Sequence, residues 1–505
     1  MAQMQGNLSA SLPYSVWRAE LVKDQEAKLA EQHDISLAAL MELAGKAVFE
    51  TLTTRWPEAK QILVLAGGGN NGGDAYVVAR LAQAAGLQVQ VVEVGDPERL
   101  PEQAATARDN WLADGGEAES AQWAEWHSDV IVDGLLGTGA NGEVREPYKQ
   151  LIEKANSVDT PVLAIDLPSG LCGNTGKPRE SVMMADCTVT FIAAKQGLFT
   201  GLAAAVVGEL VFAGLGLDAA FEEQNKTCVE RINPESLFSL LKPRSPVAHK
   251  GNFGRVAILG GNIGMPGAIR LAGEASLRSG AGLVNILTRS EHQKSVLSGR
   301  PELMVAGIES GEQTLLANLL DKANTAVIGP GLDTDEWASE LLTACLERDF
   351  PLLVDADGLN LLTKMPKWRG NWILTPHPAE AARLLACSVA EIEDDRITAA
   401  RNIQQSFGGI CVLKGAGTII AGDNGRVRIS SAGNPGMASG GMGDVLSGII
   451  GGLLAQFAES IDLFDIACIG VTIHGMAADL AAEQGQRGLL ASDLMPYVRQ
   501  LVNPQ

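Results

Sequence analysis

The chain has 505 residues, too many for one ordinary hydrophobic core, so two domains are expected. Hydrophobic residues make up 46% and there are 57 glycines with few aromatics, a composition that suits α/β domains with many strand-to-helix turns. A net charge of −21 argues against nucleic-acid backbones and anionic membranes as partners, so any phosphate must be held locally by turns and helix ends.

The cysteines at 172, 187, 228, 345, 387, 411 and 468 are scattered, odd in number and without a C-x-x-C pair. Buried free thiols are the expectation, and the histidines show no zinc-like spacing. The N-terminus lacks a basic-then-apolar signal pattern, and no apolar run reads as long and unbroken enough to cross a bilayer. A cytoplasmic protein is expected.

In chain order, a helical pattern runs from about Val16 to Lys60, with Leu37, Leu40, Met41, Ala44 and Val48 at helical spacing. Strands are then predicted at Ile62–Ala66, Val89–Val94, Val130–Asp133, Val162–Asp166 and Cys187–Ile192, alternating with helices. This rhythm implies a mostly parallel sheet covered on both faces. The polar stretch Glu222–Pro234 breaks it and marks the domain boundary. A second α/β series follows Lys250, with strands predicted at Arg255–Leu259, Val284–Thr288, Ala326–Ile328, Leu352–Asp355, Trp372–Thr375, Ile410–Lys414 and Thr418–Ala421.

The first predicted strand runs into Gly67-Gly68-Gly69-Asn70-Asn71-Gly72-Gly73-Asp74, with a helix expected from Ala75. Gly67, Gly69 and Gly72 fit G-x-G-x-x-G, and Glu93 lies where a ribose-binding acid would fall, but a plain dinucleotide turn needs neither the asparagine pair nor Asp74. A second loop, Gly134 to Glu143, follows the strand ending at Asp133, and a third strand ends at Asp166-Leu167-Pro168-Ser169-Gly170. Carboxyl ends of strands converge on the ligand crevice, which would bring Asn71, Asp133 and Ser169 together as oxygen ligands for a monovalent or other hard cation. Each taken alone equally suits a cap or a turn. Asp166 and Lys195 are the candidate acid and base; a turn-forming aspartate and a solvated lysine are the plainer alternatives.

Met41 to Gly45, Asn70 to Asp74, Asp166 to Gly170 and Lys195-Gln196-Gly197-Leu198 resemble the NAD(P)H-hydrate epimerase family, which has a Rossmann-like fold, is usually dimeric and carries potassium near its site. The resemblance implies dinucleotide contacts at Asn70, Asn71, Gly72, Gly73 and Asp74, and at Gly137, Thr138, Gly139, Ala140, Asn141, Gly142 and Glu143. It also implies K⁺ on Asn71, Asp133 and Ser169, Asp166 as the central acid–base residue, and a homo-oligomer. Ala75 stands where the family often has a further glycine.

In the second half, Asn434-Pro435-Gly436-Met437-Ala438-Ser439-Gly440-Gly441-Met442-Gly443-Asp444 precedes an apolar helix. Clustered glycines at a helix N-terminus form an anion cradle, and an aspartate beside it suits removal of a proton from an attacking hydroxyl. The plainer alternative makes Asp444 an N-cap. His377 lies between two prolines after a strand, and Lys414-Gly415-Ala416-Gly417-Thr418 is a cationic, flexible loop.

With the loops at Gly260–Ala268 and Gly329–Leu332, these segments resemble the ribokinase-like superfamily and, more closely, its ADP-dependent NAD(P)H-hydrate dehydratase branch. The resemblance covers Val247 to Leu501 and implies nucleotide contacts at Lys414–Thr418 and Gly443. It places substrate contacts at Ala268, Gly331, His377 and Asp444, with Mg²⁺ and ADP at the cradle. Residues 1–225 are therefore expected to be a Rossmann-like epimerase domain, and 226–505 a ribokinase-like dehydratase domain. Together they would repair NADH and NADPH hydrates (NADHX and NADPHX), with ADP as co-substrate. A ribokinase-like small-molecule kinase fused to a non-catalytic Rossmann-like binding domain is the competing reading.

Overall fold

The structure is a computed structural model that describes residues 12–120, 126–139 and 142–503. The chain divides into two compact units, Met1–Glu230 and Arg231–Gln505.

The first unit holds a seven-stranded sheet of β1 (Gln61–Ala66), β2 (Gln88–Glu93), β3 (Ala118–Ser120), β4 (Val130–Gly134), β5 (Val162–Ile165), β6 (Cys187–Phe191) and β7 (Glu209–Ala213). Its order is β3-β2-β1-β4-β5-β6-β7, with every neighbouring pair parallel. The strand residues alternate between faces. Ile62, Val64 and Ala66 enter one apolar cluster while Leu63 and Leu65 enter another, so both faces are covered. Chain order reverses between β1 and β4, and the glycine-rich loops after these two strands therefore flank a switch-point crevice.

The second sheet has ten strands: β8 (Val229–Arg231), β9 (Arg255–Leu259), β10 (Leu283–Thr288), β11 (Met304–Gly307), β12 (Thr325–Ile328), β13 (Leu352–Val354), β14 (Trp372–Leu374), β15 (Ile410–Leu413), β16 (Ile419–Ala421) and β17 (Val427–Ile429). The order is β11-β10-β9-β12-β13-β14-β15-β16-β17-β8. It is parallel from β11 to β15, and β16 and β17 then continue antiparallel. The switch point lies between β9 and β12. Strands β3, β7, β8, β11 and β17 were not expected from the sequence; they lie at or near sheet margins and lack continuous buried runs.

Two helical expectations are corrected. The N-terminal stretch is two helices, Ala19–Gln32 and Leu37–Arg55, because Asp34 takes a left-handed backbone and Ser36 caps the second through Ala39 N. The helix Leu463–Ala482 does have the length and composition of a membrane span, contrary to the expectation, but 72% of its most apolar window is buried inside the protein. It serves as a core helix of the second unit. The described cysteines are all free; Cys187, Cys345, Cys411 and Cys468 are buried, Cys172 and Cys387 partly so, whereas Cys228 is exposed.

The helix Met442–Phe457 packs closely on Pro266–Arg278 through glycines on one stripe. A Cβ at Gly448 would fall 2.1 Å from the Ala272 carbonyl oxygen, and one at Gly452 would fall 2.1 Å from Ser279 Oγ. Gly448→Ala should therefore destabilise the second unit by roughly 1–2 kcal/mol in urea unfolding, because backbone overpacking outweighs the better helix propensity of alanine.

Candidate active sites

In the first unit the helix begins at Asn70, not at Ala75, with Gly69 as its N-cap. The sequence Asn70–Asp74 is thus the first turn and a half of the helix. Its glycines are there for close approach: a Cβ at Gly72 would sit 1.9 Å from the Gly67 carbonyl oxygen, and one at Gly67 would sit 1.9 Å from that of Leu135. A Cβ at Gly73 would strike the Met41 side chain at 2.5 Å. Glu93, the residue at the ribose-acid position, accepts from Tyr76 at 2.9 Å and from Arg108 at 2.8 Å.

Asp166 follows β5 with φ of 63°, a strained value for a residue with a Cβ, and its N–H is tied to the Val189 carbonyl at 2.7 Å. Lys195 Nζ lies 2.5 Å from Asp166 Oδ1 and also donates to Thr190 Oγ1 at 3.1 Å and the Phe191 carbonyl at 2.9 Å. The lysine side chain is only 2% exposed, so the predicted acid and base form one buried ion pair, and the solvated-lysine alternative is excluded.

Asn71, Asp133 and Ser169 also meet. Ser169 donates to Asp133 through its hydroxyl at 2.6 Å and its N–H at 2.8 Å. The Leu136 N–H donates to Ser169 Oγ at 2.8 Å, while Asn71 Nδ2 donates to the carbonyls of Leu136 at 3.3 Å and Ile165 at 3.0 Å. Burial pushes the Asp133 carboxyl up to about 6 against the pull of the Ser169 bonds. This knot of carboxylate, hydroxyl, amide and carbonyl oxygens is an all-oxygen donor set and fits a potassium ion.

A cavity of about 640 Å³ opens above this knot. Asn70, Asn71, Asp74, Gly137, Thr138, Gly139, Asp166 and Lys195 all line it. Gly142 and Glu143 are not among the residues lining it, and Glu143 accepts the Glu180 N–H at 3.3 Å. Ala140 and Asn141 lie outside the described residues. The sequence did not single out Lys23 and Glu26, which reach the same cavity from the helix Ala19–Gln32. Their helical stripe with Val22 and Ala27 was the available signal.

In the second unit Gly441, with φ of 89°, is the N-cap of the helix Met442–Phe457, which puts Asp444 in the first turn and corrects the N-cap alternative. The preceding run is anchored through Asn434, which accepts the Gly436 N–H at 3.0 Å and donates to Asp479 at 2.9 Å. Gly440 faces open space, so packing does not explain its lack of a side chain.

Lys414 follows β15 and bonds Asp355, which follows β13, at 2.7 Å; Ser447 Oγ donates to the other Asp355 oxygen at 2.7 Å. Glu380 Oε2 lies 3.8 Å from Lys414 Nζ. Burial alone would raise Asp355, but Lys414, Ser447 and Thr375 outweigh it and hold the carboxyl below its ordinary range. Burial opposes the Lys414 charge, yet Asp355 and Glu380 raise its affinity for the proton. Asp444 is pushed up to about 7, first by burial and then by the negative charge of Asp355, with Lys414 pulling back. Gly443 belongs to the same cluster, since a Cβ there would lie 3.5 Å from Lys414 Nζ.

His377 is half-exposed and caps the helix Pro378–Leu385: its Nδ1 accepts the Ala379 N–H at 3.0 Å, while Glu380 accepts the His377 N–H at 2.8 Å. Burial and then Lys414 hold its ring below the ordinary histidine range. The loop Lys414–Thr418 is propped by Arg396, whose Nη2 donates to the Lys414 carbonyl at 2.9 Å. Gly415 and Ala416 are exposed at its tip, Gly417 is left-handed, and Thr418 Oγ1 donates back to the Gly415 carbonyl at 2.9 Å. Ala268 and Gly331 abut each other at the β9/β12 switch point, where a Cβ on Gly331 would lie 3.1 Å from Ala268 Cβ. Asp355, Glu380 and Ser447 were not assigned roles from the sequence; a charged residue ending a wholly apolar strand was the usable signal for Asp355.

Residues 256–500 match the NAD(P)H-hydrate dehydratase family, and residues 37–197 match the YjeF-related protein N-terminus family. The bifunctional NAD(P)H-hydrate repair enzyme of Escherichia coli K12 is 49% identical over 498 residues, covering 98% of this chain and 95% of that protein. The chain belongs to the bifunctional NAD(P)H-hydrate repair enzyme family. A second member, from Coxiella burnetii, is 46% identical over 481 residues, covering 94% of this chain and 97% of its own. A ribokinase-like superfamily protein from Enterococcus faecalis V583 superposes with a TM-score of 0.51 at 30% identity, covering 55% of this chain and 96% of its own. The family pairs a Rossmann-like half with a ribokinase-like half, as the two sheets do here.

The charges around Asp444 give a direct check. Asp355→Asn removes a neighbouring negative charge and should move the Asp444 titration below about 7, whereas Lys414→Gln removes the stabilising ammonium and should move it higher. Carbon-13 carboxyl shifts followed through a pH titration read both directions.

Proposed function

We propose that this chain repairs hydrated NADH and NADPH, with the first unit interconverting the R and S epimers and the second dehydrating the S form with ADP, giving AMP and phosphate. The observation that carries the reading is Asp444, a carboxyl poised near neutrality in the first turn of a glycine-capped helix, beside Lys414. A base with that affinity can take a proton from a ring hydroxyl at physiological pH.

Asp444 draws the proton from the C6 hydroxyl, and the oxygen then accepts the terminal phosphoryl of ADP as AMP leaves. The C6–O bond breaks next, phosphate departs with its electron pair, and loss of a proton from C5 restores the ring double bond. Hydroxide leaves poorly and phosphate well, which explains why a dehydration consumes a nucleotide. The helix N-terminus at Gly443 and the Lys414–Thr418 loop hold the nucleotide, while Ala268, Gly331 and His377 contact the hydrate. Mg²⁺, when bound with ADP, supplies charge neutralisation at the transferring phosphoryl.

In the first unit Asn70–Asp74 and Gly137–Glu143 contact the dinucleotide, Asp166 moves the proton, and Lys195 orients it. Asn71, Asp133 and Ser169 would hold the potassium ion. The epimerase domain is taken as residues 1–225 and the dehydratase domain as 226–505, in a cytoplasmic homo-oligomer without nucleic-acid or membrane partners. The relatives favour this reading over a small-molecule kinase fused to a binding module.

The test supplies mixed-epimer NADH hydrate and ADP and follows NADH absorbance together with phosphate release. The wild-type chain should convert all the hydrate with one phosphate per NADH; a stable phosphorylated product without NADH would favour the kinase. Asp444→Asn should slow dehydration about 10²–10⁴-fold while leaving epimerisation intact, and Asp166→Asn should do the reverse. Dehydration by the wild type should fall as pH drops below about 7, because the Asp444 base is then protonated.

A further inference from the structure

The first-unit cavity contains more acid than the Asp166–Lys195 pair needs. Asp74 enters from the helix Asn70–Ala84, and Glu26 enters from Ala19–Gln32, one turn beyond Lys23. Three carboxyls and two ammoniums thus share about 640 Å³, and Lys195 is already committed to Asp166 at 2.5 Å. Lys23 reaches towards the glycine loop, its Nζ only 3.1 Å from where a Gly139 Cβ would lie. The helix Leu37–Arg55 presents only apolar groups to the cavity, namely Leu37, Leu40, Met41 and Ala44.

We propose that Asp74, crowded in this cavity by Glu26 and Asp166, is the acid of epimerisation. The inference rests on the epimerase reading of the first unit and adds a role that reading does not assign. Carboxyls crowded into one largely buried site oppose one another's ionisation, which favours a proton staying on one of them. Each group is perturbed in that sense. Burial and then Asp166 raise Glu26, with Lys195 and Lys23 pulling back, while burial, Glu26 and Asp166 raise Asp74 well above the usual range.

The chemistry needs such an acid. The C6 carbon of the hydrate bears both a hydroxyl and the ring nitrogen N1. The Asp74 proton passes to the hydroxyl, the C6–O bond breaks with its electron pair going to the departing water, and the N1 lone pair forms an N1=C6 double bond. Carbon 6 is now planar. Water adds to its other face, the double-bond electrons return to N1, and Asp166 takes the proton of the incoming water. One proton is given and one is taken, nothing is oxidised, and exchange with solvent returns the proton to Asp74.

The test uses the full chain and measures R-to-S interconversion by proton NMR between pH 5 and 9. Glu26→Gln should lower kcat about 100-fold with little change in KM. It should also move the alkaline fall in kcat to lower pH, because Asp74 loses a like-charged neighbour and gives up its proton more readily. Glu26→Asp keeps the second acid and should keep the alkaline limb in place, and it carries the test if the glutamine variant does not fold. An unmoved rate and pH profile in Glu26→Gln overturns the inference, as do equal losses in both variants with no shift of the limb. If the wild-type chain fails to interconvert the epimers, the epimerase reading itself falls; if it does so and Glu26→Gln matches it, only this inference falls.

Discussion

The second unit depends on the ion pair between Lys414 and Asp355 at the ends of β15 and β13, in which the one ammonium of Lys414 also faces Glu380 and Asp444. Asp355 is 2% exposed and takes the lysine and the Ser447 hydroxyl, one on each oxygen. Once that pair is satisfied, little positive charge is left for Asp444. Burial first and then the charge of Asp355 raise its carboxyl into the neutral range against the pull of Lys414, and a carboxyl in that range is a competent base for an alcohol. Removing either member would leave an uncompensated buried charge, which is the costly way to break such a pair.

The two units use the same arrangement on different sheets. In each, chain order reverses at a switch point, glycine loops follow the two strands there, and a lysine is drawn from a strand end onto an aspartate at another. The outcomes differ through what surrounds the pair. Lys195 is enclosed by Thr190 and the Phe191 carbonyl and serves Asp166 directly. Lys414 serves Asp355, and its effect on Asp444 comes through space.

The parallel strands with buried runs were legible in the sequence, as were the glycine loops after β1, β4, β9 and β12, because a run such as Leu63-Val64-Leu65-Ala66 ending in glycines has few alternatives. The margin strands were not. Ala118–Ser120 and Met304–Gly307 are short and partly exposed, and pairing with a neighbour makes them strands. Asp166, Lys195 and Asp444 could be singled out because each stands beside a glycine turn or a strand end. Glu26 has only its place on the stripe with Val22, Lys23 and Ala27 as a local mark, and the fold is what brings it into the cavity with Asp74. His377 shows the converse, since the two prolines that made it conspicuous also make it a helix cap.

The glycine seam between Met442–Phe457 and Pro266–Arg278 has a mechanical consequence. One helix carries Asp444 in its first turn and the other carries Ala268 in its first turn, and backbone atoms touch where Gly448 meets Ala272. Two helices seated backbone against backbone cannot slide without lifting apart, so the seam acts as a ruler that fixes the spacing between Asp444 and Ala268.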